Sequence, residues 1–458
     1  MKVWLSMAAE IVVLKKTEGF KMRDLFAEHV KTLTAVYEKL AEKYGYERVI
    51  VHSGMVDYYF LDDIAQPFRS SPHFNHWVPL PRHANCAIEF IPGSKPRLYY
   101  FMPRDYWHAI PQEPDGFWTE FFEITTVESV EQLNLMLSQG RVSSLYLGKD
   151  GDAVAEQWGC KILNDGQFVH ELYLSRTIKS EYEQECLKIA NGLAVNAHGK
   201  AAELFFDGAS ELEIHLAYLQ CLGVTENDIP YPNIVGINEN AAILHYTNLR
   251  SKKVENLSML IDAGAMYNGY ASDITRTYCR DENSIFGELI KALDKKQLQL
   301  VDMLKPGRDY VDIHLAAHIS VAEVLSEFSI VNAAAEEIVN SGISKAFLPH
   351  GVGHFLGLQV HDAGGFLSNE VGSTLSVPEG HPYLRCTRTV EAGNVHTIEP
   401  GLYFIDMLLE GLEPKNKQLI NWRLVNELKP CGGIRIEDNI CTLSDRRINY
   451  TRGTESVF

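Results

Sequence analysis

No apolar run in the sequence approaches the roughly 18 residues needed to cross a bilayer. Cationic surplus is missing too: 42 Lys and Arg stand against 60 Asp and Glu, a formal net charge of -18. Phosphate backbones demand the opposite balance, which excludes a non-specific nucleic-acid binder, and the same acidity disfavours docking on anionic membranes. Eight cysteines are present, but no two stand at the C-x-x-C spacing of a zinc ribbon or redox dithiol. In a chain this long they read as buried small hydrophobes rather than a disulfide framework. The amino terminus has a few apolar residues, yet Glu10 interrupts them and no small-x-small cleavage site precedes Lys15 and Lys16. The expectation is a cytoplasmic protein with a short leader, residues 1–21. What remains is ordinary globular composition, 46% apolar and 22% charged, enough for a sizeable core in two or three domains.

Met22 to Tyr44 has helical spacing, with Leu25, Val30, Leu33, Val36 and Leu40 near one face. Arg48–His52 reads as a strand, and Cys86–Ile91 with Arg97–Met102 as a hairpin around Pro92-Gly93-Ser94. Pro103–Phe117, rich in Pro and aromatics, reads as an ordered loop. This alternation predicts an α/β domain over 22–175. A second domain, 176–458, opens with two S-x-x-E capping boxes, Ser180/Glu183 and Ser210/Glu213, each starting a helix. It also echoes itself: Gly208 is followed six positions later by Ile214-His215-Leu216-Ala217, and Gly307 by Ile313-His314-Leu315-Ala316. Four matched residues alone do not separate duplication from coincidence.

The strongest local signal is Leu260–Tyr278. Asn268-Gly269 is the preferred centre of a two-residue hairpin turn, because both positions need positive φ. Counting outwards pairs Tyr267 with Tyr270, Met266 with Ala271, Gly264 with Asp273 and Asp262 with Thr275. Asp262 and Asp273 then share a face as diagonal neighbours, roughly 7 Å apart at Cβ. Two carboxylates on a core hairpin repel each other unless a cation lies between them. The competing readings are that both point to solvent, or that Arg276 pairs with one.

A second cluster, Pro349–Asp362, holds His350, His354 and His361 among glycines that let the backbone approach a ligand. Two strands carry carboxylates where apolar residues are usual. Val395–Glu399 alternates so that Val395, Thr397 and Glu399 share a face; Gly433–Ile440 alternates with Arg435 and Glu437 on one side. By itself Glu437 reads as half of an exposed Arg435–Glu437 ion pair. Taken together, Asp262, Asp273, Glu399, Glu437 and one of the three histidines carry four negative charges, matching two divalent cations. Oxygen-rich ligation with one imidazole suits Mn²⁺, Co²⁺, Zn²⁺ or Mg²⁺. Such a pair activates water and polarises a carbonyl or phosphoryl oxygen, the apparatus of a hydrolase.

The motif order resembles the metallopeptidase family with the pita-bread fold, which includes methionine aminopeptidase, aminopeptidase P and prolidase. The stretches HYT, LIDAGAMYNGYASDITRTY, PHGVGHFLGLQVHD, LRCTR, IEPGLYF and GGIRIEDN, with VHSG and FLDD nearer the start, are similar to those of bacterial prolidases (Xaa-Pro dipeptidases). The subgroup they resemble includes organophosphorus acid anhydrolase. The resemblance runs from about Met22 to near the end. It implies an α/β amino-terminal domain followed by a pita-bread domain of two pseudo-symmetric halves, which favours duplication as the source of the echo.

Carried over residue by residue, it implies that Asp262, Asp273, His354, Glu399 and Glu437 hold two divalent ions, Mn²⁺ by family expectation. Asp273 and Glu437 would bridge the pair, and Glu399 would also act as general base. His245 and His361 would contact the substrate near the scissile carbonyl, with His350 and Tyr231 lining the pocket. Arg385 and Arg435 would hold the substrate carboxylate. The Asp62-Asp63 loop would reach a partner's active site, with Asp63 in the pocket, which implies a homodimer. The implied reaction is hydrolysis of dipeptides with a carboxyl-terminal proline by a hydroxide bridging the metals, with organophosphorus P–F or P–O cleavage as a side activity. The rivals are an aminopeptidase P acting on longer Xaa-Pro peptides and a non-catalytic peptide-binding module, which would lack the ligand set.

Overall fold

The computed structural model describes the backbone of residues 2–139 and 143–458 and the side chains of residues 21–139 and 143–458. Helical periodicity governs the start of the chain, where the first helix runs Lys2–Tyr44 rather than beginning at Met22. Its buried stripe is Met22, Phe26, Val30, Leu33, Tyr37, Leu40 and Ala41. The predicted Leu25 and Val36 sit at the margin of that stripe, because the large rings of Phe26 and Tyr37 set its centre. Tyr37 packs edge-on against Trp77, ring centroids 4.9 Å apart.

Six strands follow: β1 Arg48–His52, β2 Ala87–Phe90, β3 Arg97–Phe101, β4 Glu123–Val127, β5 Ser144–Leu147 and β6 Ile162–Leu163. They form one mixed sheet in the order β4-β3-β2-β1-β5-β6. The predicted β2–β3 hairpin is antiparallel, while β1–β5, β3–β4 and β5–β6 are parallel. Core residues Ile50, Tyr99, Val127, Leu133, Tyr146 and Trp158 pack together on this sheet. Pro103–Phe117 holds neither helix nor strand. None of the eight cysteines forms a disulfide; six are buried as small hydrophobes, but Cys221 is exposed near the end of helix Glu211–Leu222 and Cys431 is partly exposed. Among the described residues no helix is long and apolar enough to cross a membrane.

The chain divides into two units. The first is Met1–Ser175 with Ser180–Tyr182 and Glu370–Gly372; the second is Arg176–Lys179, Glu183–Asn369 and Ser373–Phe458. In the second unit the echo becomes architecture. Helix Glu181–Phe206 ends just before Gly208, and helix Glu211–Leu222 begins after it; helix Ile285–Met303 ends before Gly307, and helix Tyr310–Glu327 follows. Both glycines take positive φ, +79° and +86°, the left-handed turn that reverses the chain. Ser210 and Glu213 make the reciprocal capping box.

Each helix pair leads to antiparallel strands. The first leads to β7 Ile234–Ile237, β8 Ser258–Asp262, β9 Met266–Tyr267, β10 Tyr270–Ala271 and β11 Thr275–Cys279. The second leads to β12 Val395–Ile398, β13 Gly401–Tyr403, β14 Gly433–Arg435, β15 Asp438–Thr442, β16 Arg446–Asn449 and β17 Thr454–Val457. Sheet β11-β8-β7 packs Val235, Met259 and Ile261 against Ala197, Phe205, Ile214 and Tyr218 of the first helix pair. Leu289, Leu293, Ile313 and Val321 of the second pair share a core with Ile398, Ile434 and Ile440.

Candidate metal and peptide-binding site

The Asn268-Gly269 turn has the predicted positive φ values, +51° and +89°. Tyr267 pairs with Tyr270, Met266 with Ala271, and Asp262 with Thr275. The expected Gly264–Asp273 pair is absent from the ladder; instead Ala263 N donates to Ile274 O and Ser272 N to Ala265 O. Asp273 thus leaves the regular strand. Asn439 holds it there, accepting from Asp273 N at 3.0 Å and donating to its carbonyl.

Pro349–Asp362 runs beside β12 without forming a strand. Thr397 N donates to His354 O at 3.0 Å and Glu399 N to Val352 O at 2.8 Å, which fixes His354 against Glu399. Gly353 makes this approach possible: its φ is +152°, and a Cβ there would collide with the Thr397 carbonyl. Gly433–Ile440 is two strands, not the single one its alternation predicts. β14 pairs with β13, β15 pairs with β12, and Glu437 lies at the break, bridging Thr275 instead.

These four segments converge. Asp273, His354 and Glu437 each offer a ligand atom, and the three atoms lie within 4.8 Å of one another. His354 Nε2 is 3.4 Å from Asp273 Oδ2 and 3.7 Å from Glu399 Oε1. Glu437 is buried, not half of an exposed pair, and its Oε2 accepts from the Thr275 hydroxyl at 2.8 Å. Arg435 binds Asp262 rather than Glu437: its Nη2 lies 2.6 Å from Asp262 Oδ2, its Nη1 donates to Tyr403 and its Nε to Thr275. Arg276 pairs with Asp438, so it neutralises neither aspartate of the hairpin.

Tyr231 donates to Asp273 Oδ1 at 2.5 Å. His350 sits between the Gly351 carbonyl and the Tyr403 hydroxyl, with Nδ1 3.7 Å from Glu399 Oε2. The His361 ring lies edge-on to His354, centroids 4.4 Å apart. His245 and Arg385 are exposed, and both lie close enough to act electrostatically on His361. Asp63 belongs to the first unit, on an exposed loop where its amide donates to Asp62 Oδ1.

The electrostatics ask for a cation. Burial, then the charges of Asp273 and Glu399, push Glu437 well above the carboxylate range, and burial lifts Glu399 to about 7. Burial also raises Asp262 against the opposing pull of Arg435. Asp273 alone goes down: burial opposes ionisation, but the His354 ring and the Tyr231 hydroxyl outweigh it. Burial drives His350 down to about 3. Asp262 Oδ1 is buried with no hydrogen-bond partner, a costly state for a carboxylate oxygen. An oxygen-rich donor set with one imidazole and an orphaned buried oxygen fits a divalent ion.

Tyr403 is the main participant that sequence reasoning missed. Its hydroxyl joins His350 to Arg435, and the only signal for it was its place in the I-E-P-G-L-Y-F stretch.

Comparison with known proteins shows the family. Residues 185–442 match the metallopeptidase family M24, and the chain belongs to that family of enzymes. Residues 24–172 match the Xaa-Pro dipeptidase amino-terminal domain. Xaa-Pro dipeptidase of Pseudoalteromonas translucida is 45% identical over 434 residues, 94% of this chain and 98% of that protein. The Shewanella putrefaciens Xaa-Pro dipeptidase is 45% identical over 429 residues, 93% and 97% of the two chains.

Among solved structures, aminopeptidase P of Escherichia coli in complex with substrate aligns with TM-score 0.70 at 20% identity, covering 95% of this chain and 96% of that one. Pseudomonas aeruginosa aminopeptidase PepP aligns at 0.72 and 21%, covering 94% and 95%. At that distance the likeness establishes the fold, the expected pita-bread architecture behind an α/β amino-terminal region.

Proposed function

We propose that this metallopeptidase is an Xaa-Pro dipeptidase, hydrolysing the imide bond of dipeptides that end in proline. The observation that carries the reading is the convergence of Asp262, Asp273, His354, Glu399 and Glu437 from four segments, in a chain 45% identical to Xaa-Pro dipeptidases along nearly its whole length. In this reading those five side chains would hold two divalent ions, Mn²⁺ by preference. When bound, the ions supply Lewis acidity and an activated water.

The chain's own groups do the rest. Glu399, held beside His354 and His350, is suited to accept a proton from the attacking water and return it to the departing proline nitrogen. His361 and His245 are assigned the role of donors to the developing oxyanion. His350 and Tyr231 shape the pocket wall. Arg435, already engaged by Asp262, Tyr403 and Thr275, is assigned to positioning Asp262. The substrate carboxylate then falls to the exposed Arg385. A longer peptide would leave that guanidinium unpaired, which rejects it.

The family resemblance adds finer assignments. Residues 22–175 serve as the amino-terminal domain and 176–458 as the catalytic one, in the cytoplasm. Asp63 completes a partner's pocket in a homodimer. Tetrahedral phosphorus mimics the peptide intermediate, so organophosphorus P–F or P–O bonds are side substrates. The test is one assay on protein stripped of metal and reloaded with each divalent ion in turn. Cleavage of Xaa-Pro dipeptides, much faster than of Xaa-Pro tripeptides, supports the reading. Equal rates on both would favour the aminopeptidase P alternative, and no activity with any metal would defeat it.

A further inference from the structure

Among the histidines of the catalytic unit that take no part in the site above, three stand together. His314 and His318 stand one turn apart on helix Tyr310–Glu327, a spacing that puts both on one face. His381 reaches them from the segment that leads to Arg385. His314 Nε2 and His381 Nδ1 are 2.8 Å apart, and the three ring centroids are 4.6–4.9 Å from one another. One nitrogen from each ring lies within 4.8 Å of the other two. His318 Nδ1 is 3.3 Å from the Ser344 hydroxyl, which leaves its Nε2 for the cluster. His314 and His318 are buried and His381 partly so. Burial disfavours the charged form of all three, so each ring keeps one lone pair.

Packing alone is a weak account of this arrangement. Three polar rings share one direct contact and one serine, and His314 Nδ1 is buried without a partner. An apolar trio would fill the space without that cost.

We propose that His314, His318 and His381 form a separate metal site, taking a borderline cation of the Zn²⁺, Co²⁺, Ni²⁺ or Cu²⁺ class through three imidazole nitrogens. A His₃ set with a fourth position open on the His381 side suits such ions, with metal–nitrogen distances of about 2.0–2.1 Å for zinc. Hard ions such as Mn²⁺ and Mg²⁺ prefer oxygen, so the two sites differ in what they select. No carboxylate belongs to the cluster, and the Lys345 ammonium bears on all three rings. The site therefore binds more weakly than a carboxylate-rich one. An ion there ties helix Tyr310–Glu327 to the segment carrying Arg385.

The test uses the full chain, stripped with a chelator and titrated with Zn²⁺, Co²⁺ or Mn²⁺ alone. Bound metal is counted by elemental mass spectrometry, and Co²⁺ is followed by its visible ligand-field bands. The expected result is one more Zn²⁺ per chain in the parent than in His381→Ala or His318→Gln, with equal Mn²⁺ in all three. The parent's additional Co²⁺ has the intense bands of a four-coordinate ion. Lys345→Met should tighten the additional Zn²⁺ several-fold. Because the result is a difference between chains, it stands whether or not the carboxylate centre holds two ions. His381 is partly exposed on a loop, so its variant keeps the test valid if His318→Gln folds poorly. Equal Zn²⁺ in the parent and His381→Ala would overturn the proposal.

Discussion

Arg435 Nη2 lies 2.6 Å from Asp262 Oδ2, and the same guanidinium reaches Thr275 and Tyr403. One oxygen of Asp262 is thereby fixed while the other, Oδ1, is left buried and unpartnered. A planar, forked donor can hold three partners in set directions; an ammonium cannot. Arg435→Lys is expected to lower metal affinity and kcat/KM by about 10–100-fold, the usual effect of disturbing a ligand's orienting partner. Calorimetric Mn²⁺ titration beside steady-state kinetics checks it, and unchanged affinity would remove Arg435 from this role.

Arg385 should behave differently. If it holds the substrate carboxylate, Arg385→Ala raises KM for Xaa-Pro about 10–100-fold, the worth of roughly 1.5–3 kcal/mol for a charged hydrogen bond. Metal content should not change. A KM equal to the parent's would place the clamp elsewhere.

Removal of metal should destabilise the catalytic unit as well as silence it. Without cations, Glu437 and Glu399 hold protons that bound ions would displace, and Asp262 Oδ1 lacks a partner. A chelator is expected to abolish dipeptide hydrolysis and lower Tm; excess Mn²⁺ should restore both, with Tm rising with its concentration. A Tm indifferent to chelator and Mn²⁺ would count against a metal held by these residues.

Gly353→Ala tests the approach that sets His354. The new Cβ meets the Thr397 carbonyl and the Tyr310 hydroxyl at a φ that disfavours side chains. The expected outcome is a destabilisation of about 1–3 kcal/mol in urea melts. Activity at saturating metal should fall with it. A chain as stable and active as the parent would show that the backbone relaxes freely there.

Asp362 offers a pH test away from the metal ligands. It is buried between Arg176 and Lys179, 2.8 Å from the Lys179 ammonium. Burial opposes its charge, but the two cations win and hold its carboxyl below the ordinary range. A carboxyl with a depressed folded-state pKa stabilises above its unfolded value, near 3.9, and loses that contribution as pH falls through the lower folded value. Asp362→Asn should therefore cost about 3–5 kcal/mol near neutral pH by removing the buried carboxylate that both cations face. The gap to the parent should narrow below about pH 4. A gap that stays constant through that window would contradict the assignment.

Local chemistry made part of this readable. The Asn268-Gly269 turn fixed the register that brings Asp262 opposite Thr275, because side-chain alternation and turn geometry are both short-range. The capping box at Ser210 and the helix–Gly–helix echo were readable for the same reason. Partners across long separations were not. Alternation assigns Arg435 and Glu437 to one face but cannot show that the chain breaks between β14 and β15. Nor can it show that Arg435 finds Asp262, 173 positions earlier. Tyr403 was hidden likewise, since its role is defined by what its hydroxyl touches. The three-histidine cluster depends on His381 arriving from a segment without regular structure.

The contact between Thr275 and Glu437 spans 162 positions. During synthesis at ~10 residues per second, a ribosome carries the first aspartates for about 16 s before Glu437 is even polymerised. Asp273 waits longer for Asn439 to grip its backbone. For that interval the nascent chain holds a pair of aspartates without the partners that organise them. Metal loading is thus a late event in the life of the chain, and a message truncated before β14 yields a product without Glu437 and without the Asn439 that grips Asp273.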